Sequence, residues 1–382
     1  MSEWKKVKLG EICGRVTSGG TPKANVSSYY NPPTIPWLKT KEVNYCRITE
    51  TENYISEEGL KNSSAKLISP NSVIIAMYGQ GDTAGRIAIN KIPLATNQAC
   101  CNLTIDKSKA DYEFIYYQLC TLYDKLVSLK AGAAQPNLNA RIIKNLEIIM
   151  PSLPIQHRIA SILSRYDSLI ENYQKQIKLL EEAAQRLYKE WFIDLHFPGH
   201  ENTNIIDGVP EGWEKKKVGD ITPIITGKKD ANFGTPDGEY PFFTCSQEPI
   251  KAPSFSFDCA AVLLAGNGDF NVKLYRGRFE AYQRTYVLSP YIDSHLYLLF
   301  YTISANMTKL AAGSSGSTIK FLTKGMIDGI NLNVPNDEIL RSFNKKVEPI
   351  QSSRESLQSQ LRLLTEARDR LLPKLMSGEI TI

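Results

Sequence analysis

Two short stretches carry residue types that could do chemistry on a nucleic-acid base. Asn31-Pro32-Pro33-Thr34 differs in its last residue from Asn-Pro-Pro-Tyr, the motif amino-methyltransferases use on a flipped base. Gly79-Gln80-Gly81 follows a strand-like run, where a glycine loop could cradle a nucleotide cofactor. Neither stretch has the elements this chemistry needs. A cofactor loop must lead from a strand into a helix, so that backbone amides and the helix N-terminus meet the ligand. Here the loop leads into Arg86-Ile-Ala-Ile-Asn90, short and β-branched and soon ended by Pro93, which predicts a hairpin. No acidic residue ends a following strand to hold a ribose, and Asn31-Pro32-Pro33-Thr34 lacks the aromatic that stacks on an extruded base. His157 and His196 have no cysteine or carboxylate at ligand spacing. The seven cysteines contain no C-x-x-C pair, and there is no P-loop or Gly-x-Ser-x-Gly. The expectation is a chain with reduced thiols, no metal site, no catalytic residue and no cofactor of its own.

The bulk composition sets the frame. A chain of 382 residues has room for two or three domains, and 42% hydrophobic with 22% charged residues is ordinary for a globular protein. No apolar run approaches the ~18–20 residues of a membrane span, and the polar start Met-Ser-Glu-Trp predicts no signal peptide. A cytoplasmic protein without membrane contact is expected. The net charge of +5 is unevenly spread: residues 1–150 hold 18 basic and 13 acidic side chains (18 − 13 = +5), residues 201–334 hold 13 and 14 (13 − 14 = −1). A nucleic-acid surface in the second region would need local clustering of cations.

The chain is written twice. Gln176-Ile-Lys-Leu-Leu-Glu-Glu-Ala-Ala-Gln-Arg-Leu187 and Gln360-Leu-Arg-Leu-Leu-Thr-Glu-Ala-Arg-Asp-Arg-Leu371 are identical at seven of twelve positions, at an offset of 184. The same offset aligns Pro151 with Pro335, Ile155 with Ile339 and Ile159 with Phe343. Upstream, Trp4-x4-Leu9-Gly10-Glu11-Ile12 matches Trp213-x4-Val218-Gly219-Asp220-Ile221 at offset 209, and Ala131-Gly132 matches Ala312-Gly313. The second variable body is therefore shorter by 25 residues (209 − 184).

The copies end in long helical patterns. In the first, Ile155, Ile159, Ile162, Tyr166, Leu169, Tyr173, Ile177, Leu180, Ala184, Leu187 and Trp191 alternate at spacings of 4 and 3, a heptad seam with one stutter. In the second, Ile339, Phe343, Val347, Ile350, Leu357, Leu361, Leu364, Leu371 and Leu375 form a seam interrupted by Arg354 and Arg368. Helices of ~36 residues would be about 54 Å long. Two matching heptad helices in one chain predict that they pair with each other. Between them, strand-like runs at 72–78, 86–89, 100–105, 146–150, 261–265, 286–288 and 330–334, with short helices at 111–128 and 293–309, predict α+β bodies with curved sheets. The expected domains are 1–150, 151–196 (first long helix), 197–334 and 335–382 (second long helix).

Two similar bodies held apart by rigid helices form a calliper, and one turn of duplex DNA, ~34 Å, is a matching length. The loops carry groups suited to bases and phosphates. In the first body these are Thr17, Ser18, Gly19, Gly20, Thr21 and Lys23; Lys39, Thr40 and Lys41; Tyr78, Gln80, Asp82, Thr83 and Arg86; and Asn97 with Gln98. In the second they are Thr226, Lys228 and Lys229; Asn267, Asp269, Asn271, Lys273 and Arg276; Gln283 and Arg284; and Ser314, Ser315 and Ser317. A coiled-coil scaffold without DNA affinity is the alternative; it predicts that Lys39, Lys41, Arg86 and Arg284 can be changed without effect on any complex.

Certain residues resemble a known family. Gly-x-Thr-Pro at 19–22, Ile35-Pro-Trp-Leu38, Ile55-Ser-Glu-Glu-Gly-Leu60, Ala95-Thr-Asn-Gln98, Pro151-Ser-Leu-Pro-Ile-Gln-His-Arg-Ile159 and the ending Leu371-Leu-Pro-Lys-Leu-Met-Ser-Gly-Glu-Ile380 look like the DNA specificity subunit of type I restriction-modification systems. The resemblance covers essentially the whole chain, duplication included. It departs at Pro154-Ile-Gln-His157, where the family usually has Pro-x-x-x-Gln followed by an apolar run, and at Asn336-Asp-Glu-Ile339, where that glutamine is missing. The resemblance implies that each body reads one half of a bipartite, asymmetric duplex DNA site through the major groove. It implies that the antiparallel helices set the unread spacer and dock two modification subunits, which bind S-adenosylmethionine and methylate adenine N6. Two restriction subunits would add ATP-driven translocation and cleavage.

Overall fold

The computed structural model describes residues 4–130, 137–314 and 320–382. The chain divides into two compact units, Met1–Asn172 with Gln360–Ile382, and Tyr173–Ser359. Among the described residues no helix is long and apolar enough to cross a membrane.

In the first unit, strand Lys5–Lys8 pairs antiparallel with Glu147–Met150, and the Leu9 amide donates to the Leu146 carbonyl (2.9 Å). A five-stranded sheet runs in the order Cys13–Ser18, Cys100–Ile105, Val73–Ala76, Ile87–Asn90, Cys46–Ile48, with only the last pair parallel. A four-stranded sheet holds Tyr54–Ile55, Ile35–Leu38, Leu94–Thr96 and Leu67–Ile68. The residues of Val73–Ala76 and Ile87–Asn90 are buried on both faces, which is why these strands read as unbroken apolar runs. Strands 73–76 and 87–90 are antiparallel neighbours, so Gly79–Gly85 closes a hairpin and opens no helix. The helix expected at 111–128 is two, Tyr112–Cys120 and Tyr123–Ser128. They part at Thr121, whose hydroxyl turns back to the Gln118 carbonyl (2.8 Å) and competes with the helical backbone.

The second unit repeats this scaffold. Glu214–Lys217 pairs with Asn331–Val334, and the Val218 amide donates to Ile330 (2.9 Å). The offset of 209 carries Lys5 to Glu214 and Leu9 to Val218, while 184 carries the starts of helices Tyr112–Cys120 and Ala140–Lys144 onto those of Leu296–Gly313 and Lys324–Asp328. Between these matched parts lies one six-stranded sheet, ordered Ile224–Thr226, Thr285–Leu288, Phe257–Ala265, Val272–Ala281, Tyr240–Phe243, Ile250–Ala252. The matched Ala131-Gly132 falls outside the described residues.

The long helices are Leu153–Tyr188 and Asp337–Ser377. The first gives residues 153–172 to one unit and the rest to the other; the second does the reverse. Pro154 sits in the first turn, where its missing amide costs nothing, while Pro349 and Pro373 lie inside the second helix and each removes one backbone donor. The first helix passes into a π turn, Lys189–Ile193, which carries Trp191. Within each unit a segment of one long helix packs with an oppositely running segment of the other. In the first unit Ile159 and Leu163 share a core with Leu375 and Met376; in the second Ala184, Tyr188 and Trp191 share one with Ile339, Phe343 and Val347. Ile155, Ile162, Tyr166, Tyr173, Ile177, Leu180, Leu187, Ile350, Leu357, Leu361, Leu364 and Leu371 are half-buried. Leu169 departs from the expected seam: it is 42% exposed, and Ile170 is buried in its place. Where a helix also packs on its own body, the buried stripe follows the true 3.6-residue period and is wider than a heptad seam, so it drifts off the heptad positions to Leu163, Asp167 and Ile170.

Candidate nucleic-acid interface

Four loops of the first unit meet at one end of its sheets. Strand Cys13–Ser18 ends beside the start of Cys100–Ile105, where Gly19 donates to the Cys100 carbonyl (3.3 Å) and Gly20 to Thr96 (2.9 Å). A Cβ on Gly19 would collide with the carbonyls of Thr96 and Asn97, and one on Gly20 with the Ala65 amide, so only glycine lets the loop pass. The Asn97 amide donates to Leu38, which brings Lys39 alongside, and the Met77 amide donates to Ala99 (2.7 Å), which brings in the 78–86 hairpin. The Thr21 hydroxyl donates to Gln98, and the Trp37 indole N–H to Gly20 (3.1 Å). Thus 17–23, 39–41, 78–83 and 97–98 form one rim.

The second unit gathers 226–230, 244–246, 266–273 and 282–284. The Gly227 amide donates to Thr285 (3.2 Å), Gly266 to Arg284 (2.8 Å) and Gln283 to Lys229 (2.9 Å). Cys245 ties two loops: its carbonyl accepts from the Asn271 amide group (3.0 Å), and its thiol donates to the Arg284 carbonyl (3.6 Å). Arg276 is not part of this rim: it lies over the Tyr297 ring (5.1 Å) and pairs with Glu348 (3.6 Å). Its alternation along Val272–Ala281 turns it to the helices. Ser314 caps a helical end through Ala311, and Ser315 and Ser317 lie outside the described residues.

The rim cations differ in how free they are. Lys41 pairs with Glu52, and Arg86 with Asp82 (2.5 Å), whose carboxyl is held below its ordinary range by that hydrogen bond. Lys39 donates to Asn53 (2.9 Å) and lies over Trp37; Lys229 lies over the Phe233 ring (4.4 Å). Lys273 is half-buried, donates to the Ser246 carbonyl (2.7 Å), and has its pKa lowered by burial, so it braces the 244–246 loop. Among the described residues Lys23, Lys228 and Arg284 carry exposed side chains with no ion-pair partner. Asn53, Asp230, which accepts from the Gln283 side chain (3.1 Å), and the Cys245–Ser246 turn orient the rim side chains and have no sequence signal, because their partners lie far along the chain. The Tyr123 hydroxyl likewise braces the hairpin from outside, on the Asp82 carbonyl (2.8 Å).

Behind the rims the bodies meet the long helices. In the first unit Arg47, on the edge strand Cys46–Ile48, donates to Asp167 (2.8 Å), Glu113 (2.6 Å) and the Tyr117 hydroxyl (2.8 Å). The Tyr117 hydroxyl donates to Asp167 (2.5 Å), and Arg368 reaches Asp167 from the second long helix (2.9 Å). Lys91 donates to Glu113 (2.9 Å). In the second unit the offset of 184 puts Tyr301 for Tyr117 and Gln351 for Asp167. Gln351 donates to the Tyr301 hydroxyl, Tyr188 shares a hydrogen bond with Thr302 (3.0 Å), and Arg354 pairs with Glu181 (3.3 Å) over the Phe300 ring.

The family described as type I restriction modification DNA specificity domain matches residues 1–182 and 210–353, once per repeat. The MjaIX specificity subunit of a type I restriction enzyme from Methanocaldococcus jannaschii is 28% identical over 416 aligned residues, covering 100% of this chain and 94% of its own. The EcoDI specificity subunit from Escherichia coli is 36% identical over 177 residues, 45% of this chain and 40% of its own. A crystal structure of a type I restriction-modification S subunit from M. genitalium has the same fold, with a TM-score of 0.69 at 17% identity over 98% of this chain and 96% of that one.

Proposed function

Because this chain belongs to the type I restriction-modification DNA specificity family, we propose that each of its two rims reads one half of a bipartite duplex DNA site. The chain is the sequence-specific DNA recognition subunit of such a system and is not catalytic by itself. The single observation behind the two-reader proposal is the repeat itself. Corresponding scaffolds, offset by 209 and then 184, carry unlike sheets and unlike loops, so each presents its own side chains. Lys23 in one rim and Lys228 and Arg284 in the other are free to meet phosphates, while Gln80 and Asn267 offer donor–acceptor pairs to base edges, and Gln98 and Gln283 offer the one amide group that Thr21 and Asp230 leave open. Joining the readers makes the second binding event intramolecular, and helices of fixed length make the unread spacer part of the code. The modification subunits, which supply S-adenosylmethionine chemistry, and the ATP-driven restriction subunits would assemble on this chain; it would hold no cofactor itself. Cytoplasmic residence follows from that role as part of the same proposal.

The test is methylation mapping in a host carrying this gene and a cognate modification subunit. Exchange of 201–334 for a different body should change one half of a split motif and leave the other. Insertion of about one helical turn, four residues, at matching points of both long helices should lengthen the accepted spacer. Both halves changing together, or an unchanged spacer, would overturn the proposal.

A further inference from the structure

Both rims hold a glutamine at the same place. The Gly19 amide donates to the Cys100 carbonyl and the Gly227 amide to that of Thr285, and Gln98 and Gln283 each stand two residues before that acceptor. A Cβ on Gly227 would collide with the carbonyls of Ala281 and Tyr282, as one on Gly19 would with those of Thr96 and Asn97, so the two loop crossings correspond. Each glutamine is gripped by the loop that follows its glycine, by Thr21 in the first unit and by Asp230 in the second. The grips are opposite. The Thr21 hydroxyl donates to Oε1 of Gln98, whereas Nε2 of Gln283 donates to the Asp230 carboxylate (3.1 Å). All four residues are exposed.

A side-chain amide has a donor end and an acceptor end, and what holds one end decides which faces outward. Gln98 is held by its oxygen and presents its amino group; Gln283 is held by its nitrogen and presents its carbonyl. In the major groove an amino group finds acceptors on guanine and thymine and is refused by cytosine, which shows only its own amino group there. A carbonyl finds the amino groups of adenine and cytosine and is refused by guanine and thymine. We propose that Thr21 and Asp230 determine specificity as positioning residues: without touching a base, each turns a glutamine common to both rims so that one end or the other reads a base edge. The inference rests on the two-reader function proposed above and names what two of its side chains read. The two settings differ in firmness. A carboxylate only accepts, so Asp230 holds Gln283 one way; a hydroxyl donates or accepts, so Gln98 turns over if Thr21 reverses its role. Water competes for both pairs on the free surface. Once DNA covers the rim, turning Gln283 over would set a desolvated carboxylate against a carbonyl, so the orientation tightens where it is used. Gln283 should therefore discriminate more sharply than Gln98.

The experiment is methylation mapping over a library of randomised DNA sites, using the full chain with a cognate modification subunit. Gln98→Ala and Gln283→Ala should each relax one position, in opposite halves of the split motif. Thr21→Asp should replace the base preferred at the first of these positions, guanine or thymine on the strand contacted, by adenine or cytosine. Asp230→Thr should make the reverse exchange at the second. Each preference should shift by about tenfold, the worth of one direct hydrogen bond to a base. If the glutamine variants relax no position, or the partner variants leave the preferred base unchanged, the inference is overturned and the two-reader function stands. Equal loss of methylation on all sequences in the Thr21 and Asp230 variants would make those residues structural and overturn it as well. A split motif missing from the unaltered chain would instead overturn the function reading itself.

Discussion

The hydroxyl of Tyr117 sits among Arg47, Asp167 and, beyond it, Arg368, whereas that of Tyr301, at the same repeat position, meets the neutral Gln351. The first junction is ionic: Arg47 and Asp167 are each 7% exposed at the side chain. The second is aromatic: Phe343 is fully buried between Phe192 (4.7 Å) and Trp191 (5.8 Å), with Tyr188 and Tyr301 stacked nearby. One scaffold thus tolerates two ways of holding a body on a helix pair. A buried ion network tolerates no missing member, since desolvated charge must be paired; an aromatic junction is set by shape and yields more gradually.

Removal of a network member separates the two most strongly. Arg47→Ala leaves Asp167 and Glu113 short of their shared cation and should destabilise the first unit by about 3–5 kcal/mol. Hydrogen exchange should accelerate at 73–76 and 100–105 and stay unchanged at 261–265; equal acceleration in both units would break the comparison. Tyr301→Phe removes the hydroxyl that Gln351 uses and should cost about 1–3 kcal/mol, read from urea unfolding and confined to the second unit.

The smallest difference lies at a helix start. Asp111 caps Tyr112–Cys120, accepting from the Phe114 amide (2.9 Å). Its repeat counterpart, His295, makes no side-chain cap on Leu296–Gly313, and its buried Nδ1 has no partner. Burial, aided by Lys216, lowers the His295 pKa, so the folded state holds it neutral while the unfolded chain protonates below its ordinary value. The unfolded state then binds more protons, and stability present above about pH 6.5 is lost as the pH falls through that value. His295→Asp should gain about 0.5–2 kcal/mol and remove that pH-dependent part, as measured by paired melts near pH 7.5 and 5.5.

Much of this architecture was legible in the chain. The offsets of 184 and 209 place matching strands and helix starts, and the loop after Tyr78 closes the hairpin its β-branched sequel predicts. The loops chosen for their chemistry do cluster in each unit, because strand ends bring loops together whatever their sequence. Arg276 was misplaced because a period-2 pattern gives alternation but not which face a neighbouring helix covers. Leu169 was misplaced because spacing alone does not show that the helix also packs on its own body.

By itself the sequence determined the duplication, the long amphipathic helices and the variable bodies between fixed ends, since these are periodic or repeated and periodicity is local. Only the tertiary structure decided which cations are free and which are spent on Asp82, Glu52 or Glu348, and that Arg47 and Arg368 share Asp167. Those pairings join residues as much as 201 positions apart, and a local pattern carries no record of such distances.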